Sequence, residues 1–206
     1  QESKKILDLQ KNDLVVDIGS NDGNLLSNFK NYHKVLGVTP ENIGKIAIKK
    51  GINTILKYFD KKTANQILKN FGKAKLVTAT NVFAHIDDIN ALMKNILKIL
   101  DKDGVFISES HYLLSLIQTN QYDTIYHEHM RYYSLMSLNY LFKKYKLKIF
   151  HAKKIPTHGG SIRVYVSKSK NIKESKNLKK LFKMEKKYLN EKTFKNFANK
   201  VLSSKI

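Results

Sequence analysis

The chain has 206 residues, 42% of them hydrophobic, which suffices for one domain with a well-buried core. Its 38 basic and 17 acidic side chains leave a net charge of +21, but the lysines are spread among Asn and Ile and are densest from Lys168 onward. That pattern reads as a solvated surface rather than a nucleic-acid footprint. Cysteine is absent, which excludes a disulfide framework or a cysteine-ligated zinc site within the chain. No apolar run approaches a membrane span, and Gln1-Glu2-Ser3-Lys4-Lys5 is no secretory leader, so a cytoplasmic protein is expected.

Short β-branched runs alternate with helical patterns. Leu14–Ile18, Val35–Val38, Ile52–Ile55, Leu76–Thr80 and Val105–Ile107 read as buried strands. Behind the acidic pair Asp87-Asp88, the residues Ile89, Leu92, Met93, Ile96, Leu97 and Leu100 recur at helical spacing. Asp101-Lys102-Asp103-Gly104 then predicts a turn. Such alternation predicts a parallel sheet covered on both faces, with ligands at the carboxyl ends of its strands. A polar, aromatic segment from His111 to Tyr133 follows, then a helix over about Ser134 to Tyr145. Strands near Leu147–His151 and Ile162–Val166 would form an antiparallel pair. From Ser167 the chain is Lys-rich, and Leu178, Leu181, Phe182, Leu189, Phe194 and Phe197 predict one or two amphipathic helices. The expected division is a domain over 1–166 and a helical extension over 167–206. The end at Ile206, without a stop signal, reads as a cut through a longer polypeptide.

The first strand runs into Asp17-Ile18-Gly19-Ser20-Asn21-Asp22-Gly23, with two glycines four apart before a helix. A dinucleotide loop would carry a further glycine between them, and Asp17 and Asp22 would repel a diphosphate. Backbone N–H groups beside an anion instead suit a cationic amino-acid ligand such as S-adenosylmethionine (SAM), with Asp17, Gly19, Ser20, Asn21 and Gly23 around it. Thr39 ends the second strand where a paired ribose acceptor is usual; its one hydroxyl is a poorer acceptor, and Glu41 is the substitute. Phe59, after the third strand, would flank the adenine, and Asn81 and Val82, after the fourth, would stand at the methionine end.

Titratable groups concentrate in Tyr126-His127-Glu128-His129, and five of the seven histidines (His85, His111, His127, His129, His158) fall at strand ends or in loops. One reading is a metal site at His127-x-His129 with Glu128. The other is an acid–base cluster, with Tyr126 and His129 on one face if the segment is helical. The only arginines, Arg131 and Arg163, offer the planar fork that grips phosphate.

Together, Asp17-Ile-Gly-Ser-Asn-Asp-Gly23, Asn81-Val-Phe-Ala-His85-Ile, Tyr126-His-Glu-His129 and Thr157-His-Gly-Gly-Ser-Ile-Arg-Val-Tyr165 resemble the C-methyltransferases that act on nucleotide-linked keto-deoxysugars. The resemblance covers most of residues 6 to 166. It implies an α/β fold, the class I methyltransferase Rossmann-like doubly wound sheet with an antiparallel last strand, here with a C-terminal helical extension. It implies SAM as cofactor, a dTDP-type 4-keto sugar as acceptor, Tyr126 and His129 as base, and His85 and Glu128 lining the site. His158, Gly160, Arg163 and Arg131 would hold the substrate and its diphosphate. Such enzymes also carry a Cys-rich N-terminal zinc domain and a C-terminal α/β domain, so a separate partner supplying either is expected. The alternatives are an RNA methyltransferase, favoured by the charge, and a non-catalytic SAM-binding subunit.

Overall fold

A computed structural model describes residues 6–169 and 172–204; Gln1–Lys5 and Ile206, read above, lie outside them. Among the described residues seven strands form one sheet: β1 (Leu14–Ile18), β2 (Lys34–Val38), β3 (Asn53–Ile55), β4 (Ala74–Thr80), β5 (Leu100–His111), β6 (Lys148–Ile155) and β7 (Ser161–Ser167). Their order is β3-β2-β1-β4-β5-β7-β6, parallel throughout except for β7, which runs antiparallel to both neighbours. β1 is buried at every position, as its unbroken Leu-Val-Val-Asp-Ile requires of a central strand covered on both faces.

The helices are α1 (Asn24–Ser27), α2 (Gly44–Lys49), α3 (Lys61–Phe71), α4 (Ile89–Ile99), α5 (Leu113–Gln118), α6 (Leu135–Lys144), α7 (Lys176–Tyr188) and α8 (Glu191–Ser203). Because side chains alternate across a strand, the sheet divides two cores. Val16, Ile18, Val77, Ala79 and Phe106 face the larger, which takes in Ile67 of α3, Ile96 of α4 and Phe142 of α6. Val15, Leu76 and Ile107 face the smaller, with Leu26 of α1 and Ala47 of α2. Leu178 and Leu181 of α7 join the larger core, so packing crosses the division drawn at residue 166. Among the described residues no helix is long and apolar enough to cross a membrane.

The predicted strands, the antiparallel pair and the helix capped by Asp88 are all present, the last with Asp88 accepting from the Ala91 N–H at 2.9 Å. The turn predicted at Asp101–Gly104 lies inside β5 instead. Ala74 pairs with Leu100 and Leu76 with Val105, so the extra residues bulge out of a strand that continues past them.

The chain enters the sheet at its middle, runs outward through β2 and β3, then returns to lay β4 on the other side of β1. That reversal sets the β1–α1 and β4–α4 connections side by side at the carboxyl ends of their strands.

Candidate functional site

Gly19 and Gly23 both adopt left-handed backbone, φ 77° each, for different reasons. A Cβ on Gly19 would stand 2.7 Å from Val82 Cγ2, so its absence lets the β1 and β4 connections touch. A Cβ on Gly23 would meet Ile52 and Ala47 at 2.7 and 2.8 Å, which makes Gly23 a packing position. Ser20 fills the space left by Gly37 and is buried, and its hydroxyl has no hydrogen-bond partner among the described residues. Asn21 is exposed on left-handed backbone, φ 47°. Asp22 pairs with Lys50 at 2.9 Å.

Asp17 lies beneath this loop rather than on its surface, only 4% exposed. Its carboxyl accepts from the Thr78 hydroxyl at 2.6 Å, and burial outweighs that bond to push its pKa up to about 7.

The carboxyl ends of β4 and β5 open onto a cavity of about 630 Å³, and Asn81, His85, His111, Tyr126, His129 and His158 are among its lining residues. Asn81, on left-handed backbone at φ 56°, adjoins Val82 and so joins this cavity to the glycine loop. His129 Nδ1 lies 3.0 Å from the Thr124 carbonyl, which can only accept. Nδ1 therefore carries a hydrogen, and in the neutral ring Nε2 presents its lone pair 3.4 Å from the Tyr126 hydroxyl. The Glu128 carbonyl fixes His85 the same way, through Nδ1 at 3.0 Å. The His85 and His129 rings stand 5.1 Å apart and those of Tyr126 and His129 4.5 Å apart. No helix brings the latter pair together; a turn does, in which the His129 N–H donates to the Tyr126 carbonyl at 3.1 Å.

Other expected site residues stand elsewhere. Glu128 contributes its carbonyl, and its carboxylate is not part of the cavity lining. The Arg131 guanidinium donates to the carbonyls of Ile86 and Asp87 and so pins the loop after β4 instead of facing a phosphate. Arg163 is engaged by Glu109, its partner across β5 and β7, with Nε 2.7 Å and Nη2 2.6 Å from Glu109 Oε2. Thr39 is 1% exposed and its hydroxyl accepts from the Glu41 N–H at 3.4 Å; Glu41 itself is exposed. Phe59 lines a different cavity, between the β3–α3 connection and α4. Gly160 is buried and accepts from the Tyr112 N–H at 3.0 Å, while neighbouring His158 and Gly159 reach the main cavity. His127 packs its ring against Tyr126 at 5.8 Å, outside the lining.

Sequence reasoning missed three groups. Gln121 donates from Nε2 to the Gly159 carbonyl at 2.9 Å, so its Oε1 accepts from His111 Nε2 at 3.3 Å. Burial, against that bond, holds His111 below the usual imidazole range. Ser110 lines the cavity floor, and buried Glu109 holds Arg163 and accepts from the Thr157 hydroxyl at 3.4 Å. His111 carried a signal in its place at a strand end; Ser110, Gln121 and Glu109 carried none.

Comparison with known proteins agrees with this architecture. A family described as a methyltransferase domain matches residues 3–152. The C-methyltransferase NovU of Streptomyces niveus is 37% identical over 176 residues, 81% of this chain; the chain spans 42% of that relative's length. Two solved structures share the fold. Magnesium protoporphyrin IX methyltransferase from Synechocystis, solved with bound S-adenosylhomocysteine (SAH), has a TM-score of 0.60 at 14% identity, covering 77% of this chain and 75% of that one. A chain from the Haloferax volcanii complex of a methyltransferase with its Trm112 activator has a TM-score of 0.65 at 15% identity, covering 81% and 87%. By its match over most of its length and its likeness to NovU, this chain belongs to the methyltransferase domain family.

Proposed function

We propose that the chain is a SAM-dependent C-methyltransferase core that methylates a carbon beside a ketone on a nucleotide-linked deoxysugar. The observation that carries the reading is the Tyr126–His129 pair: an oriented imidazole facing a phenol, in a cavity lined by Asn81, whose neighbour Val82 packs against Gly19 of the glycine loop.

SAM fits that loop at its methionine end. The Gly19 and Ser20 N–H groups are given to the Val38 carbonyl, at 2.8 and 3.2 Å, so the unpartnered Ser20 hydroxyl and the carboxyl of Asp17 beneath it are the groups that suit an ammonium and a carboxylate. At the ribose end the exposed Glu41, rather than the inward-turned Thr39, is the available carboxylate. When bound, the donor supplies an electrophilic methyl group on a sulfonium.

A sugar carbon becomes nucleophilic when the hydrogen beside its ketone is removed. The C–H electrons form the enolate double bond, the carbonyl pair moves onto oxygen, and the proton passes to the Tyr126–His129 pair to rest on His129 Nε2. Bound SAM would supply the methyl group to that carbon, and the chain's part would be to hold donor and acceptor in line, which supplies much of the rate. His85, its Nε2 lone pair also free of the backbone, lines the proton's side. Both arginines already hold protein groups, Arg131 the Ile86 and Asp87 carbonyls and Arg163 the Glu109 carboxylate. The likeness to the C-methyltransferase NovU supports carbon as the methylated atom.

His129→Ala tests the assignment. Turnover with a dTDP-linked 4-keto sugar should fall about 10²- to 10⁴-fold, the usual contribution of a positioned base. Calorimetric SAM binding should be retained. Undiminished turnover in the variant, or a parent protein that gives no heat with SAM, contradicts the reading.

A further inference from the structure

Resting on that reading, we infer that Ser110 is the hydrogen-bond donor that holds the acceptor's carbonyl oxygen as it becomes an enolate. Ser110 is 2% exposed, near the carboxyl end of β5, and lines the cavity floor; its hydroxyl has no hydrogen-bond partner among the described residues. Buried hydroxyls are almost always paired, so an unpartnered one on a residue that lines a cavity points to a ligand atom as the missing partner.

The surrounding groups say which atom. His129 and His85 both spend their Nδ1 hydrogen on backbone carbonyls, so each turns a lone pair outward and neither, when neutral, can donate to an oxyanion. The Tyr126 hydroxyl faces the His129 lone pair. His111 Nε2 donates to Gln121, whose amide donates to Thr119 and Gly159, and the Thr124 hydroxyl donates to the Gln121 carbonyl. Asn81 stands at the wall shared with the glycine loop, where the methyl donor enters. The base side of the cavity is thus rich in acceptors, and Ser110 is a buried hydroxyl with its hydrogen uncommitted. A ketone seated between them has its α-hydrogen towards the imidazole and its oxygen towards Ser110. The serine proton stays on its oxygen throughout; the hydrogen bond strengthens as charge develops, which lowers the barrier to enolisation.

Enolisation can be read without methyl transfer. With SAH in place of SAM, the parent protein should exchange the α-hydrogen of a dTDP-linked 4-keto sugar with deuterium oxide, followed by NMR. Ser110→Ala should slow that exchange about 10²- to 10³-fold, the usual loss on removing one oxyanion donor. Its thermal midpoint and SAH affinity should be unchanged, and Ser110→Thr, which keeps the hydroxyl, should restore most of the rate. The control is Ser108→Ala: Ser108 lies on the same strand face, also buried and unpartnered, but outside the cavity lining. Exchange in Ser110→Ala at the parent rate, or an equal loss in Ser108→Ala, overturns the role of Ser110 alone. A parent that binds no SAH and exchanges no hydrogen overturns the proposed function instead.

Discussion

Beneath the glycine loop, Asp17 has only the Thr78 hydroxyl to share its charge with, and burial raises its pKa from 3.8 to about 7. Unfolded, this carboxyl ionises near 3.8; folded, it holds its proton until about 7. The folded state thus binds an extra proton between those values. The stability this contributes is full below the lower value and lost as pH rises through the upper. Asp17→Asn, neutral at every pH, should remove that slope. At about pH 8 its thermal midpoint should exceed the parent's by roughly 4 °C, as about 1–2 kcal/mol gives in a chain of this size. Its SAM affinity should fall, because the negative charge beneath the ammonium is gone. Parent and variant melting alike from about pH 4 to pH 8 would show that no such proton is held.

Side-chain identity made part of the site legible. Tyr126 and His129 stood out because a tyrosine and two histidines crowd one short segment, and the structure brings that pair together at the mouth of β4 and β5. Arg131 and Arg163 stood out equally, yet are engaged by partners 44 or more residues distant: Ile86 and Asp87 in one case, Glu109 in the other. The guanidinium fork suits a backbone carbonyl or a carboxylate as well as a phosphate, and composition cannot say which it meets. Glu109 reads as one polar residue in a strand until the antiparallel register sets it opposite Arg163.

Among the elements, α6 shows how a distant helix can complete a local signal. Ser134 caps it within a reciprocal box with Ser137, a pattern the sequence carries locally. The remaining first-turn N–H groups, of Leu135 and Met136, donate to Glu185 of α7, the latter at 2.9 Å, and Glu185 is fully buried. A carboxylate at a helix N-terminus satisfies orphan donors and meets the positive end of the dipole. Glu185→Ala should therefore cost about 1–3 kcal/mol, because it strands the buried Leu135 N–H and removes the partner of the Met136 N–H, and Glu185→Gln should cost less. Urea unfolding checks both. A loss under about 0.5 kcal/mol in the alanine variant would mean that Glu185 does not secure the N-terminus of α6.

Strands and helices were legible from their periodicities because burial on one or both faces enforces them. The bulge in β5 was not, because Asp101-Lys102-Asp103-Gly104 has the composition of a turn. The pairing of Ala74 with Leu100, fixed by the neighbouring strand, carries the ladder across it. The segment from Tyr126 to His129 misled the other way: its i and i+3 spacing suits a helix, but one tight turn gives the same proximity.

On the scale of the molecule, the reversal of strand order between β1 and β4 is what makes a site possible. It brings Gly19 against Val82, puts Asn81 beside the loop, and leaves the cavity with its histidines just beyond. The central claim is that a methyl donor held by that loop presents its sulfur to the Tyr126–His129 cavity. The direct measurement is a crystal structure of the protein soaked with SAH. The expected result is density for the ligand with its amino-acid end over Gly19 and Ser20 and its sulfur beside Asn81, facing His129. Density in the Phe59 cavity instead, or an empty loop at millimolar ligand, would contradict it.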